Sequence, residues 1–237
     1  MVGIGISIIL LWGLICPFTD WYVRLISRRA IKKGSGTGVK VCLTFDDGPD
    51  PRYTPKILKI LREFNVPAVF FLVGAKTERA PDLVKRIQTE GHQIGCHTYF
   101  HHHAYLLSPW KSIATINEGR QAIEKVTGKP VRWFRPPWGA LNLFQYRFLK
   151  QIGLEIVLWD ANARDWHRRT GASGIFERLL KKVKPNSIIV LHDSGGETRA
   201  PENTVAALPR IIKWLQNYGY TFVSLEEVLG GRPNVRR

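Results

Sequence analysis

Two adjacent acids at the end of a predicted strand have the clearest capacity for chemistry in this sequence. The run from Val39 to Phe45 is short, apolar and rich in β-branched residues, as buried strands are, and Asp46 and Asp47 follow it. A turn at Gly48-Pro49 allows both carboxylates to face one pocket. Carboxylates this close repel each other unless a cation lies beside them. The pattern indicates a metal site, although an Asp-Asp-Gly surface turn is the commoner interpretation of these residues alone.

Further polar groups follow predicted strands later in the chain. His97 and His101 are four residues apart, so a helical turn would place both imidazoles on one face. Together with Asp47 they offer two nitrogens and one oxygen, a ligand set that leaves positions open, as a catalytic divalent site does. The alternative is a solvent-exposed histidine run, since two more histidines follow His101. The remaining groups are Arg135-Pro136-Pro137-Trp138-Gly139, Asp165-Trp166 and Leu191-His192-Asp193.

In this order, the segments TFDDGP, HTYFH, RPPWG, DW and LHD resemble the five motifs of the NodB-type polysaccharide deacetylases, carbohydrate esterase family 4. The resemblance covers about Lys40 to Leu229. It implies a distorted, incomplete (β/α) barrel of seven or eight parallel strands. It also implies that the protein removes N-acetyl groups from amino sugars of a polysaccharide. The implied cofactor is one divalent metal ion, with zinc expected and cobalt, nickel or manganese as alternatives.

The resemblance assigns the metal-binding residues and the base. Asp47, His97 and His101 would hold the metal, and Asp46 would remain free beside it to take a proton from the attacking water. Arg135 would pair with Asp46 and orient it. A barrel-rim arginine in a structural salt bridge is the alternative interpretation of Arg135.

The same resemblance makes His192 the general acid that protonates the leaving amine. Asp165 would raise the pKa of His192 toward protonation. Trp166 and Leu191 would line a small apolar pocket for the acetyl methyl group. Without the resemblance, a histidine after four aliphatic residues is more often a core residue, and Trp166 and Leu191 would be ordinary barrel core.

Two positions depart from the family pattern. Trp138 occupies a position where tyrosine is most familiar. The resemblance assigns the main-chain N–H of that position to the oxyanion hole, so the exchange should spare the chemistry, and an indole suits stacking on a sugar face. Asn162 lies where relatives often carry an acid, so a second carboxylate has no assigned role there.

Peptidoglycan is the favoured substrate, followed by chitin-type oligomers or an exported biofilm glycan. A catalytically idle member that only binds glycan is an alternative of another class. It is disfavoured because no motif acid, histidine or arginine is missing. An amide or ester hydrolase acting on small molecules is a third hypothesis.

Hydrophobic periodicity predicts an α/β fold in which helices and strands alternate. Helices are predicted over 54–64, 80–90, 112–127, 143–152, 174–183 and 204–218. Strands are predicted over 39–45, 66–73, 93–96, 132–135, 155–159, 187–191 and 221–224. Because each motif follows a strand, and parallel strands present their carboxyl ends at one edge, the motifs are expected to meet there.

The composition of the N-terminal residues predicts a segment that is separate from the folded domain. Residues 2–18 are almost purely apolar, near the minimum length for a membrane span, with no basic stretch before them. We therefore expect a membrane anchor or signal-anchor (1–26), a basic, glycine-rich linker (27–39), the NodB-like deacetylase domain (40–230) and a basic tail (231–237). The basic residues after the apolar run favour an inward domain, whereas a polysaccharide substrate requires an outward one. The expected location is the bacterial cell membrane, with the domain facing outward.

Net charge indicates which classes of partner to expect, and the cysteine content indicates whether disulfides are expected. The formal net charge of +16 favours a polyanionic neighbour, and no nucleic-acid-binding module is recognisable, so nucleic acid is not an expected partner. The expected partners are an N-acetylated polysaccharide and, through the N-terminal segment, a membrane, with the chain a monomer. Cys16, Cys42 and Cys96 are predicted to be small buried hydrophobic residues, not a disulfide framework.

Overall fold

A computed structural model describes residues 2–27 and 30–230, with side chains from residue 14 onward in those ranges. Its helices are α1 Val2–Leu25, α2 Thr54–Glu63, α3 Gly74–Arg79, α4 Pro81–Thr89, α5 Pro109–Thr127, α6 Leu143–Ile152, α7 Gly171–Lys182, α8 Ala200–Asn217 and α9 Leu225–Val228. Its strands are β1 Ala30–Ile31, β2 Lys40–Asp46, β3 Ala68–Leu72, β4 Gln93–Cys96, β5 Trp133–Phe134, β6 Glu155–Val157, β7 Ala161–Asn162, β8 Ser187–His192 and β9 Thr221–Phe222.

The strands form one parallel sheet. Eight of them follow the order β1-β6-β5-β4-β3-β2-β8-β7, and β9 pairs with the start of β2. Every strand pair is parallel, so each crossover must carry the chain back across the sheet, usually through a helix. The prediction of an α/β fold with an incomplete parallel barrel is confirmed.

Strand β2 lies in the centre and is buried on both faces. Leu43 and Phe45 belong to the main hydrophobic cluster, where the Phe45 ring stacks on Phe70 with centroids 5.1 Å apart. Cys42 points to the opposite face and joins a second cluster. The sequence of a strand that is buried on both faces is a nearly continuous apolar run, and for this reason β2 was predictable. Cys16, Cys42 and Cys96 are free and buried, as predicted.

Most predicted element bounds differ from the structure by only a few residues. Some of the differences have local causes. Helix α5 begins at Pro109 and not near Ser112, because the Ser108 hydroxyl caps it and Pro109 fits the first turn. Strands β1 and β7 were not predicted, because each is two residues long, adjoins charged residues and has no apolar run of its own in the sequence.

The N-terminal residues form α1, but the expected membrane anchor over residues 1–26 finds no support. No helix in the part of the chain that the structure describes is long and apolar enough to cross a bilayer. The apolar run is interrupted in the second half of α1 by Asp20 and Arg24, which form an ion pair at 2.9 Å. The side chains of residues 1–13, on which much of the expectation rests, lie outside the described part.

The glycine-rich segment before the domain is held by backbone hydrogen bonds. Ala30 of β1 pairs with Ile156 of β6. The Gly34 N–H donates to the Asn186 carbonyl at 2.8 Å, and the Asn186 side chain donates to the Gly36 carbonyl at 2.7 Å. Composition predicted a flexible linker over 27–39, and in its described part groups on the domain satisfy several of its backbone hydrogen bonds. The expected basic tail, 231–237, lies outside the described residues.

Candidate active site

Strand register brings the polar motif residues to one edge of the sheet. Asp46 at the end of β2 is directly opposite His192 at the end of β8. Cys96 of β4 is opposite Phe134 of β5, so the next residues along the two strands, His97 and Arg135, emerge side by side. Ligand and catalytic sites of parallel α/β folds form at this carboxyl edge.

Asp46 is buried and paired with Arg135. The Arg135 Nη1 donates to Asp46 Oδ1 at 2.7 Å and to the Thr44 hydroxyl at 2.6 Å. Its other nitrogens donate to the carbonyls of Val157 and Leu158, each at 3.1 Å. Since this guanidinium is fully buried and bonded on several sides, it holds the Asp46 carboxylate in one orientation.

Asp47, His97 and His101 form a compact cluster beside that pair. Their ligand atoms all lie within 4.8 Å of one another. Asp47 Oδ1 is 3.3 Å from His97 Nε2 and 3.0 Å from His101 Nε2. Burial opposes the ionised form of Asp47, but the two imidazoles offset it and hold the pKa of Asp47 well below its usual range.

The donor set of this cluster fits a divalent metal ion. Asp47 Oδ1 is buried without a hydrogen-bond partner. His97 Nδ1 lies 2.7 Å from the Arg135 carbonyl, which can only accept, so Nδ1 carries a proton and Nε2 is the ring nitrogen that could bind a metal. A backbone carbonyl that fixes the tautomer in this way is the usual support for a metal-binding histidine. The prediction that these residues converge is confirmed.

The backbone conformation that brings the two histidines together differs from the expected helical turn. Thr98 and His101 both have left-handed backbone, with φ of 65° and 59°, and the segment between them is not helical. The His101 N–H donates to the Thr98 hydroxyl at 3.0 Å, which stabilises this tight loop. A spacing of four residues is thus compatible with convergence, although the helical explanation was wrong.

His192, which is partly buried, and the buried Asp165 form a second pair at the same edge. Asp165 Oδ1 lies 2.9 Å from His192 Nδ1, and Asp165 Oδ2 accepts from the His192 N–H at 2.7 Å. The Thr204 hydroxyl also donates to Oδ2, at 2.9 Å. Burial disfavours the charged imidazole, but the Asp165 charge and hydrogen bond outweigh it and raise the pKa of His192 to about 10.

The predicted pocket residues have different surroundings. The Trp166 ring stands edge-on to the His192 ring, with centroids 5.4 Å apart. Leu191 is fully buried in the main hydrophobic cluster, which the core interpretation explains, and its place in an acetyl pocket stays a prediction. Trp138 is 55% exposed, has φ of 54°, and lies against His101 with ring centroids 4.3 Å apart.

Asn162 accepts hydrogen bonds from the Lys182 ammonium of α7, a contact that joins β7 to that helix.

A buried network behind the Asp46-Asp47 turn was not predicted. The Lys76 ammonium donates to the Asp47 carbonyl at 2.7 Å and to the Ser194 hydroxyl at 2.8 Å. Asp193 is fully buried, accepts from the Thr54 hydroxyl, and has its pKa raised by burial to about 7. Lys76 follows β3 at the same edge as the motifs, and that position was the signal available in the sequence.

Comparison with known proteins agrees with this geometry. The family model described as polysaccharide deacetylase matches residues 33–157. A peptidoglycan-N-acetylglucosamine deacetylase of Bacillus cereus is 39% identical over 191 residues, covering 80% of this chain and 87% of that protein. A chitooligosaccharide deacetylase of Sinorhizobium fredii is 34% identical over 215 residues, covering 87% and 97%.

Solved structures show the same fold. A peptidoglycan N-acetylglucosamine deacetylase crystallised with 4-naphthalen-1-yl-N-oxidanyl-benzamide has a TM-score of 0.80 at 33% identity, covering 86% of this chain and 94% of that one. A carbohydrate esterase family 4 pseudoenzyme from Bacillus anthracis has a TM-score of 0.78 at 26% identity, covering 88% and 72%. The matched residues, the identities and the shared fold together establish that this chain belongs to the polysaccharide deacetylase family.

Proposed function

We propose that this protein is a metal-dependent hydrolase that removes N-acetyl groups from the amino sugars of peptidoglycan. The observation that carries the proposal is the meeting, at one edge of the sheet, of a metal-type cluster with the Asp46-Arg135 and His192-Asp165 pairs. A buried aspartate held by arginine and a histidine held by a buried aspartate are the parts that amide hydrolysis needs on either side of a reacting carbonyl. Both deacetylases described above support the same bond type, and the Bacillus cereus relative supports peptidoglycan as the polymer.

Asp47, His97 and His101 would hold one divalent ion, with zinc as the expected metal. When bound, such an ion polarises a carbonyl oxygen and makes water a better nucleophile at neutral pH. Asp47 supplies the negative charge, and the two imidazoles supply neutral donors. Cobalt, nickel and manganese accept the same kinds of donor atoms and are the alternatives to test.

Asp46 would act as the general base. Its Oδ1 is occupied by Arg135, which leaves Oδ2 to accept the proton of the attacking water. Attack forms a bond from the water oxygen to the acetyl carbon and moves the carbonyl electrons onto oxygen. The main-chain N–H of Trp138 would donate to that oxyanion, and the half-exposed indole would stack on the sugar ring.

His192 would act as the general acid. With its pKa raised to about 10, the imidazole carries its proton at neutral pH. Breaking the C–N bond sends the electron pair to the sugar nitrogen, which takes the proton from His192, so that acetate and a free amine leave. Trp166, packed edge-on against His192, would wall the space for the acetyl methyl group together with Leu191.

The function is tested by measuring acetate release from several classes of substrate. The full chain, loaded in turn with zinc, cobalt, nickel or manganese, is incubated with peptidoglycan, N-acetylglucosamine oligomers, O-acetyl xylan and small acetamides. We expect release from peptidoglycan to exceed release from the others. Release from small acetamides alone would instead support a small-molecule amidase, and metal binding without release from any substrate would support a glycan-binding protein.

Gly195 gives a test of the metal cluster that does not depend on activity. It has φ of 71°, and a Cβ there would overlap Asp47 Oδ2. We expect Gly195→Ala to weaken divalent-ion affinity by about 10-fold or more, as changes next to metal ligands do. The matched control is Gly91→Ala, at φ of 84° with nothing within 4 Å of the added carbon. Both variants bear similar backbone strain, so equal metal affinity, measured by calorimetry, would contradict the role of Asp47.

We also propose that the protein lies at the bacterial cell membrane with its domain outward. The outer side of α1 over residues 14–26 supports membrane contact in the plane of the bilayer, because the side chains exposed there are large and apolar. They are Leu14, Phe18, Trp21 and Leu25, with Ile26 directly after the helix. A cell-wall substrate supports the outward orientation, which protease accessibility on intact cells would test.

A further inference from the structure

Helix α1 packs on the domain next to the loop of residues 135–139, in which the Trp138 N–H is the proposed oxyanion donor. Cys16, Thr19 and Val23 are buried along one face of the helix, at the spacing expected for helix packing. Tyr22 meets the Tyr146 ring of α6 edge-on, with centroids 6.1 Å apart. The Ser27 hydroxyl lies 3.2 Å from the Tyr146 hydroxyl. The N-terminal segment is therefore attached to the wall of the site by specific side chains.

Arg24 is the charged residue through which α1 reaches the loop of residues 135–139. Its Nη2 donates to the Gly139 carbonyl at 2.7 Å and lies 3.4 Å from the Trp138 carbonyl. Its Nε donates to Asp20 one turn earlier, at 2.9 Å, which orients the guanidinium. A Cβ on Gly139 would lie 2.7 Å from this Nη2, so a side chain there would displace the guanidinium from its present position.

The loop that Arg24 contacts has little regular structure of its own. Trp138 and Gly139 both have positive φ, 54° and 69°, in a single 3₁₀ turn. Two backbone bonds close the turn, from Gly139 N–H to the Pro136 carbonyl at 2.9 Å and from Ala140 N–H to the Pro137 carbonyl at 3.0 Å. Left-handed backbone at a non-glycine residue is costly and persists only where surrounding contacts enforce it.

We infer that Arg24 is a positioning residue for the deacetylation reaction, holding the Trp138-Gly139 backbone so that the Trp138 N–H faces the reacting carbonyl. The inference rests on the proposed function. The two carbonyls bound by Arg24 belong to Trp138 and Gly139, in the two peptide units that follow the Trp138 N–H. Holding them restrains the backbone dihedrals of Trp138, and these set the direction in which its N–H points. Oxyanion donors are effective only when already aimed, and small displacements reduce the rate. The N-terminal helix is thereby part of the active site and not only an appendage.

The test compares Arg24→Gln with a matched control, Arg86→Gln. Arg86 and Glu90 form an i,i+4 pair at 2.6 Å with side chains 38% and 17% exposed, against 39% and 18% for Arg24 and Asp20. Arg86 lies on α4, outside the loop. Loss of a surface pair of this type changes stability little, so both variants should fold and bind metal as the wild type does. We expect Arg24→Gln to lower kcat by about 10-fold with little change in KM, and Arg86→Gln to change neither.

A second readout follows the loop itself by hydrogen exchange. The amides of Gly139 and Ala140 should exchange faster in Arg24→Gln than in Arg86→Gln or the wild type. Arg24→Lys keeps a charged donor and should recover part of kcat. Unchanged kcat and unchanged exchange in Arg24→Gln, with an active wild type, would overturn the inference. A wild type that releases no acetate from any substrate would overturn the proposed function instead, so the two failures are distinguishable.

Discussion

Replacing Asp46 by asparagine is expected to reduce acetate release by about 10³-fold while the protein still binds its divalent ion. Asp46 contributes a base and no ligand in the proposed mechanism, because its Oδ1 is bonded to Arg135 and the metal-type cluster is formed by Asp47 with two histidines. Asparagine is nearly isosteric and keeps an oxygen that can accept from Arg135. It cannot take up the proton of the attacking water.

The informative comparison is with Asp47→Ala, one residue along the chain. Asp47 lies 3.3 and 3.0 Å from the two imidazole Nε2 atoms, so its loss should remove both metal binding and activity. Metal stoichiometry, circular dichroism and acetate release on the same preparations separate the two effects. An Asp46→Asn variant with substantial turnover would rule out Asp46 as the base. Metal lost from Asp46→Asn with the fold intact would make Asp46 a ligand.

The convergence of the motifs was predictable because it depends on strand topology. Each motif follows an apolar run, and in a parallel sheet the carboxyl ends of those runs lie at one edge. The observed register agrees with that prediction, because Asp46 at the end of β2 lies opposite His192 at the end of β8. Asp165 joined the prediction by resemblance, since β7 is only two residues long and leaves no hydrophobic period.

Local backbone conformation was less predictable. His101 reaches the cluster from a left-handed loop stabilised by the Thr98 hydroxyl, although its spacing from His97 also suits a helical turn. Side-chain spacing cannot distinguish these conformations when both bring the same atoms together. The hydrogen bonds between residues 30–39 and the domain were not predictable for a similar reason. Composition describes an isolated segment, whereas the partner carbonyls and amides belong to residues more than a hundred positions away.

Contacts between distant elements were the least predictable feature. Nothing about Arg24 in the sequence identifies Gly139 as its partner, since the contact depends on how α1 docks. Lys76 was equally inconspicuous until the structure brought it to the Asp47 carbonyl. Removal of the residues before Lys40 would also remove Arg24, so activity should be measured on the full chain.

Replacing Asp165 by asparagine is expected to shift the alkaline limb of the pH–activity profile to lower pH. The general acid must be protonated to act, and the pKa of His192 is raised to about 10, so the wild type keeps its acid form through neutral and mildly alkaline pH. Asparagine removes the negative charge 2.9 Å from His192 Nδ1, while burial continues to oppose the imidazolium. The pKa of His192 then falls, and kcat/KM at pH 9 should drop by about 10²-fold, with a smaller loss at pH 6.

The control is Thr204→Val, which removes a neutral hydrogen bond to the same carboxylate but keeps its charge. Because charge raises the pKa of His192, the alkaline limb of this variant should stay near that of the wild type. All three proteins are measured with the same bound metal, so repulsion between that cation and the imidazolium is common to every profile. A loss of activity in Asp165→Asn that is uniform across pH would mean that Asp165 only orients the ring. A limb displaced toward acid in Asp165→Asn alone would identify Asp165 as the residue that keeps His192 protonated for catalysis.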